Sequence, residues 1–299
     1  MAQETLTVLA LDAADHDLLK RWDCENILLD NNTKLETYCH TYNHPSTVEV
    51  WATMATGVGP EDHNAIMGPS MEWHNPLVNF ASEIATVLPD DWREWLGRFA
   101  HNFSNAGYPQ TDLPHVFEEG LVAWWPGITP AETVVDAVKW TTESVVGENL
   151  GYAELWGNMK GNCARSLAYL EGASEFDVPI VGAHCHMLDT AGHTFSKSED
   201  ELRKAYKWVD EQIGQLEEEA DRLVILSDHG MQTNCITEDT DPGTHSMRAI
   251  VSTNFEASLP NSVFDVSDWL EKNTLERAGE ESKAMSDTTR EQLEDLGYI

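Results

Sequence analysis

Residues 225–231 read ILSDHGM: an apolar run, an acid and a histidine side by side, then glycine. The run closes the longer segment DRLVILSD (221–228), whose leucine and β-branched content is that of a buried strand. Asp228 and His229 therefore fall where a strand ends. A solvated turn would hold such a pair without consequence. In open α/β sheets, however, ligands sit outside the carboxyl ends of the strands. The pair gains meaning if other acids and histidines arrive at similar places.

The rest of the chain supplies those strand ends. TLTVLALD (5–12) is a second apolar run ending in an acid, and VPIVGAHCHMLD (178–189) reads as a buried strand followed by a loop. MRAIVST (247–253) reads as a final or edge strand, and TKLETYCHTYN (33–43) alternates as a strand does. Helical spacing appears in DHDLLKRW (15–22), in EDELRKAYKWVDEQIGQLEEEA (199–220) and in TPAETVVDAVKWTTESVV (129–146), where Pro130 suits a first turn. STVEVWATMATG (46–57) is a further helix, opened by Ser46 or Thr47 and closed by Gly57. The tail DTTREQLEDLGYI (287–299) is another. Residues 64–128 are irregular, aromatic and rich in proline. Strands alternate with helices, so the fold class is α/β with a largely parallel sheet, and the length alone allows one large domain or two smaller ones.

Composition narrows the function. The 299 residues hold 18 Lys+Arg against 52 Asp+Glu, a net charge of −34, with 41% hydrophobic and 9% aromatic residues. Phosphate contacts need clustered cations, so nucleic acid binding through a basic surface is disfavoured. Such self-repulsion opposes compaction in dilute solution, but at molar salt the Debye length falls to about 3 Å. The composition reads as adaptation to a salt-rich cytoplasm and looks like that of a haloarchaeal protein. Five cysteines without C-x-x-C spacing imply neither a disulfide framework nor a zinc knuckle. The first residues lack a basic segment of the signal-peptide kind, and no apolar run approaches the ~18 residues of a membrane span. A cytoplasmic location with no membrane partner is expected.

Seven polar residues collect at the element ends: Asp12, Thr47, Asp189, His193, Asp228, His229 and His245. Five of the seven lie at or just after an expected strand end, and none is placed in the middle of an amphipathic helix. Three Asp and three His form a donor set for divalent metals, imidazole favouring zinc or manganese and carboxylate the harder ions. Six ligands exceed the three of one catalytic zinc. They suit two ions about 4 Å apart, clamping the oxygens of an in-line displacement at phosphorus. Thr47 adds a hydroxyl at a helix N-terminus, where an anion would bind. Alone it reads as an N-cap; with six ligands it reads as a nucleophile.

The ordered set resembles the alkaline phosphatase superfamily, in particular its type I phosphodiesterase/nucleotide pyrophosphatase branch. The matching segments are VLALDAAD, PSTVEVWATMATGVGPEDHNA, DTAGH, SDHGM and GTH, in family order. The second is the most specific, because Thr47 stands ten residues before Gly57, with Pro60 and His63 following. The resemblance implies a three-layer α/β/α sandwich, one domain over 1–299, with residues 64–175 as an inserted cap that is packed on the sheet and selects the substrate. It implies one metal on Asp189, His193 and His245, and a second on Asp12, Asp228 and His229 that also touches Thr47. Two divalent ions are implied, zinc first and manganese or magnesium as alternatives. Thr47 would attack phosphorus and form a phosphothreonyl intermediate, with a small phosphate ester as substrate.

The chain also departs from that pattern. Glu49 stands where the family has proline, Asn64 replaces the glycine of the family's HGI, and Val50 occupies the place of a phosphoryl-binding Asn. The tail resembles that of sulfatase-like members, yet no C-x-P-x-R or S-x-P-x-R segment exists for sulfate ester cleavage. A phosphodiesterase is the expectation. A phosphomonoesterase, a phosphoryl transferase or mutase and a catalytically silent metal-binding member are the alternatives, silence being opposed by the intact set of seven. For His184 and His186 a core or loop role is the simpler reading, contact with the metal ligands the other. His16 and His44 are read as surface or packing residues first and as phosphate contacts second, Trp124 and Trp125 as packing or a stacking surface, and His63 as fixing the loop after the nucleophile helix.

Overall fold

The computed structural model describes residues 5–66, 115–129 and 152–274. The tail helix and, beyond Thr129, the helix expected over 129–146 lie outside them, as does the aromatic stretch at 72–99. In chain order the described strands are β1 (Leu6–Leu11), β2 (Asn31–Leu35), β3 (Leu121–Ala123), β4 (Ile180–Cys185), β5 (Arg222–Leu226), β6 (Gly230–Met231), β7 (His245–Ser246) and β8 (Ala249–Thr253). The helices are α1 (His16–Arg21), α2 (Thr47–Thr56), α3 (Pro60–His63), α4 (His115–Glu119), α5 (Tyr152–Ala173), α6 (Met187–Phe195), α7 (Glu199–Glu219) and α8 (Val266–Thr274).

Six strands form one sheet in the order β2-β8-β5-β1-β4-β3, and β6 pairs with β7 as a separate ribbon. β3, β4, β1 and β5 run parallel, whereas β8 is antiparallel to both of its neighbours. β1 is buried along its whole length, as its central place requires. Its side chains divide by the period of two. Leu9 and Leu11 join a core with α1, α5, α6 and α7, while Leu6, Val8 and Ala10 join one with α2 and α8. Helices therefore cover both faces, and the fold is the α/β/α sandwich expected.

Local sequence explains the layers. In α7, Leu202, Ala205, Tyr206, Val209, Ile213 and Leu216 are buried at three- and four-residue spacing, and Glu199, Asp200 and Glu201 stand at the positive end of the helix dipole. α2 ends at Gly57, whose φ of 73° is the left-handed conformation of a helix C-cap. Within residues 64–175, Leu121–Ala123 forms the edge strand beside β4, and Tyr152–Ala173 packs across β4 and β1.

Three expectations need correction, the first being that residues 64–128 are irregular, because His115–Glu119 is a helix and Leu121–Ala123 a strand. The segment after β4 is the helix α6 and not a loop, so Asp189 and His193 lie inside a helix. The strand expected over 33–43 is confined to Asn31–Leu35. The segment 247–253, expected as a final or edge strand, is the last described strand and not an edge, because β2 pairs along its outer side. This last difference positions the site. Ala249 pairs with Leu35, and Val251 with Leu226, so β8 begins at the edge where β1, β4 and β5 end. A residue just before an antiparallel strand thereby reaches the same edge as residues just after parallel ones.

Candidate metal centre

All seven selected residues arrive at that edge. Asp12 follows β1 directly, and its N–H donates to the Cys185 carbonyl at 3.0 Å, fixing it beside the end of β4. Asp228 and His229 follow β5, fully buried, so the pair is no solvated turn. Asp189 and His193 share one face of α6, a helical turn apart, and His245 opens β7. Thr47 is the first residue of α2.

The side chains form two groups. In one, Asp189 Oδ1 lies 3.3 Å from His193 Nε2 and 3.2 Å from His245 Nε2, and those nitrogens are 3.2 Å apart. In the other, His229 Nε2 lies 3.3 Å from Asp12 Oδ1 and 3.1 Å from Asp228 Oδ2. The His229 and His245 rings stack at 3.7 Å, which joins the groups. Within each triad the ligand atoms lie within 4.8 Å of one another.

Two features of this chemistry fit divalent cations. Asp12 Oδ1, Asp189 Oδ1 and Asp228 Oδ2 are buried without a hydrogen-bond partner, which is costly for a carboxylate unless a cation meets it. Each of the three histidines is also turned for the same purpose. Nδ1 of His193, His245 and His229 donates to the carbonyls of Gly243 (2.8 Å), Pro45 (2.8 Å) and Gly230 (3.1 Å). Carbonyls only accept, so each neutral ring presents a lone pair on Nε2, the nitrogen facing its triad.

The protonation balance follows from the crowding. Burial and the Asp12 and Asp189 charges push the Asp228 carboxyl well above the usual range. Burial also opposes ionisation of Asp189, but His186, His193 and His245 outweigh it and hold that carboxyl low. Asp12, although opposed by burial and by Asp189, is likewise held low by His186 and by hydrogen bonds from His184 and His186. His229 is pushed down to about 3 by burial and by His245, which keeps it neutral.

Thr47 does not cap its helix. The N-cap is Ser46, and the Thr47 hydroxyl lies 3.1 Å from His229 Nε2. The departures from the family pattern have local explanations. Glu49 is fully buried and accepts from the hydroxyl of Thr41, fastening the 36–46 segment that carries Pro45 against α2. Asn64 caps α3 at φ 56°, a left-handed conformation that Asn tolerates where Gly is usual. Val50 is buried in the core and faces away from ligand chemistry. His63 does fix its loop: Nε2 meets Thr53 Oγ1 at 3.1 Å, and Nδ1 accepts from the Ala65 N–H at 3.0 Å.

His16 pairs with Asp17, while Trp125 packs on Trp51 and donates to its carbonyl at 3.0 Å. Sequence reasoning undervalued His184 and His186. Both reach Asp12 Oδ2, at 3.2 and 2.6 Å, and with Asp12 they form a third group of metal-ligating atoms. Their signal was the H-x-H alternation at a strand end, which the simpler core reading overrode.

This fold and this donor set define a metal-dependent phosphoester hydrolase. The model of the type I phosphodiesterase / nucleotide pyrophosphatase family matches residues 6–248, and the chain belongs to that family. No curated protein sequence matches it. Among solved structures, alkaline phosphatase from the Antarctic bacterium TAB5 aligns at 11% identity and a TM-score of 0.46, over 91% of this chain and 97% of that one. Murine ectonucleotide pyrophosphatase / phosphodiesterase 5 aligns at 12% and 0.46, over 79% of this chain and 59% of that one. An inactive variant of the murine protein in complex with AMP aligns at 12% and 0.44.

Proposed function

We propose that the chain cleaves small phosphate diesters of the nucleotide type, with Thr47 as nucleophile and two divalent cations, zinc before manganese or magnesium. One cation would be held by Asp189, His193 and His245, the other by Asp12, Asp228 and His229 with Thr47 beside it. The observation that carries this reading is the Thr47 hydroxyl, 3.1 Å from His229 Nε2 at the start of a ten-residue helix. Bound cations would supply Lewis acidity toward the phosphoryl oxygens. The chain's own residues do the rest. Oγ1 of Thr47 forms a bond to phosphorus as the ester oxygen leaves, and water later cleaves the phosphothreonine. The first turn of α2 directs its positive dipole end at the anion. We assign the inserted region the selection of substrate and place the protein in a salt-rich cytoplasm, a reading supported by its net charge of −34.

The test compares bis-p-nitrophenyl phosphate with p-nitrophenyl phosphate in molar KCl with added zinc or manganese. Thr47→Ala should lower diester turnover by about 10³-fold, equal to about 4 kcal/mol of barrier. Dominant monoester turnover would leave the site standing and overturn the diester assignment. Wild-type activity in Thr47→Ala would overturn the nucleophile.

A further inference from the structure

We propose that His186 is a positioning residue that ties the two metal triads together, holding one oxygen of Asp12 and one of Asp189 so that each carboxylate's other oxygen faces its own triad. The inference rests on the two-triad reading above and goes beyond it. The His186 ring lies between the two carboxylates: Nδ1 is 2.6 Å from Asp12 Oδ2, and Nε2 is 3.1 Å from Asp189 Oδ2. The opposite oxygens, Asp12 Oδ1 and Asp189 Oδ1, are two of the buried oxygens without a hydrogen-bond partner. They are also the oxygens nearest the triad histidines, 3.3 Å from His229 Nε2 and 3.2 Å from His245 Nε2 respectively. A carboxylate pinned at one oxygen cannot rotate the other away from its cation.

The main chain of His186 is itself held by three hydrogen bonds to two residues. Its N–H donates to Asn162 Oδ1 of α5 at 3.0 Å, and its carbonyl accepts from the Thr190 N–H at 3.2 Å and the Thr190 hydroxyl at 3.1 Å. It occupies the N-cap of α6, so one residue fixes both the ring and the helix carrying Asp189 and His193. A competing use exists. His184 Nε2 is buried 3.2 Å from Asp12 Oδ2, so Asp12, His184 and His186 offer a cation site of their own. The bridge is favoured because both ring nitrogens of His186 already meet carboxylates, and such a cation would have to displace the 2.6 Å contact.

Zinc titration calorimetry in molar KCl tests the proposal on wild type and on His186→Ala, His186→Asn, His186→Gln and His193→Ala, with folding followed by circular dichroism. Wild type should bind two ions, and His193→Ala should weaken one of them. His186→Ala should weaken both together, by about 10–100-fold, as loss of a partner to metal ligands does. An Asn amide reaches only as far as Nδ1 and a Gln amide as far as Nε2. His186→Asn should therefore spare the Asp12 site, and His186→Gln the Asp189 site; this split carries the test if His186→Ala does not fold. Wild-type affinity at either site in His186→Ala overturns the bridge. Three ions in wild type with one lost in His186→Ala assign the cation site instead. No ion in wild type overturns the two-triad reading itself.

Discussion

Ser46 and Thr47 stand together at the start of one helix: Ser46 is the N-cap by backbone conformation, without a side-chain cap bond, and Thr47 turns its hydroxyl to the candidate site. Ser46 ends the extended segment, while the Thr47 hydroxyl faces His229. The choice between them was not legible in sequence, because either residue suits an N-cap. The short helix that follows, α3, ends in a residue whose pH response separates scaffold from site. His63 is pushed down to about 4, chiefly by burial, and holds Thr53 as a neutral ring. An unfolded histidine titrates near 6.5. Between those values the unfolded chain binds a proton that the native chain refuses, so stability is full above about 6.5, falls as the pH drops toward 4, and changes no further below. Chemical unfolding in molar KCl should thus show a shallower pH slope between 6 and 4.5 for His63→Gln than for wild type, by at most about 1.4 kcal/mol per pH unit. Parallel slopes would mean that His63 is protonated in the folded protein.

At the scale of elements, the long regular pieces were readable and the short functional one was not. β1, β5 and α7 carry unbroken apolar runs or a repeating apolar face, and each formed where its pattern placed it. α6 has only nine residues, with Asp, Thr, Gly and His among them, all weak helix formers. It is helical because Leu188 and Ala191 pack into the core shared with α5 and α7, a tertiary effect that no local window shows. Its place also depends on Gly192. A Cβ there would lie 2.7 Å from both Cε and Cγ of Met231, so swinging the methionine methyl aside would not relieve the clash. Gly192→Ala should push α6 from the β6 strand and cost about 1–3 kcal/mol of metal-free stability. It should also weaken zinc at the site containing Asp189 and His193 and spare the one containing Asp12. Calorimetry that shows both sites unchanged would mean that the helix absorbs the methyl without moving.

At the scale of the whole molecule, the grouping of the candidate residues was legible because topology gathers what sequence scatters. Parallel strands deliver Asp12 and Asp228 to one edge, and an antiparallel strand entered from that edge delivers His245. What sequence order cannot convey is which oxygen of a carboxylate faces which histidine, so the His186 contacts became visible only in the fold. Charge acts at this largest scale too. With 18 cations against 52 anions, few positive groups remain for surface pairing. Arg248 is committed inward, its Nε 2.7 Å from buried Asp15 and its guanidinium on both oxygens of Asp239, where it fastens the ribbon β6–β7 to the start of α1. The excess negative surface must then be screened by the solvent. The Debye length is about 10 Å at 0.1 M salt and about 3 Å at 1 M, so repulsion between neighbouring acids is largely removed over that range. If screening recovers a few kcal/mol, the melting temperature of the metal-free protein should rise by roughly 10 °C between about 0.1 and 2 M KCl. Sucrose at matched water activity should reproduce little of that rise, since it does not screen charge. A melting temperature flat in KCl, or raised equally by sucrose, would show that screening of the acidic surface does not stabilise this fold.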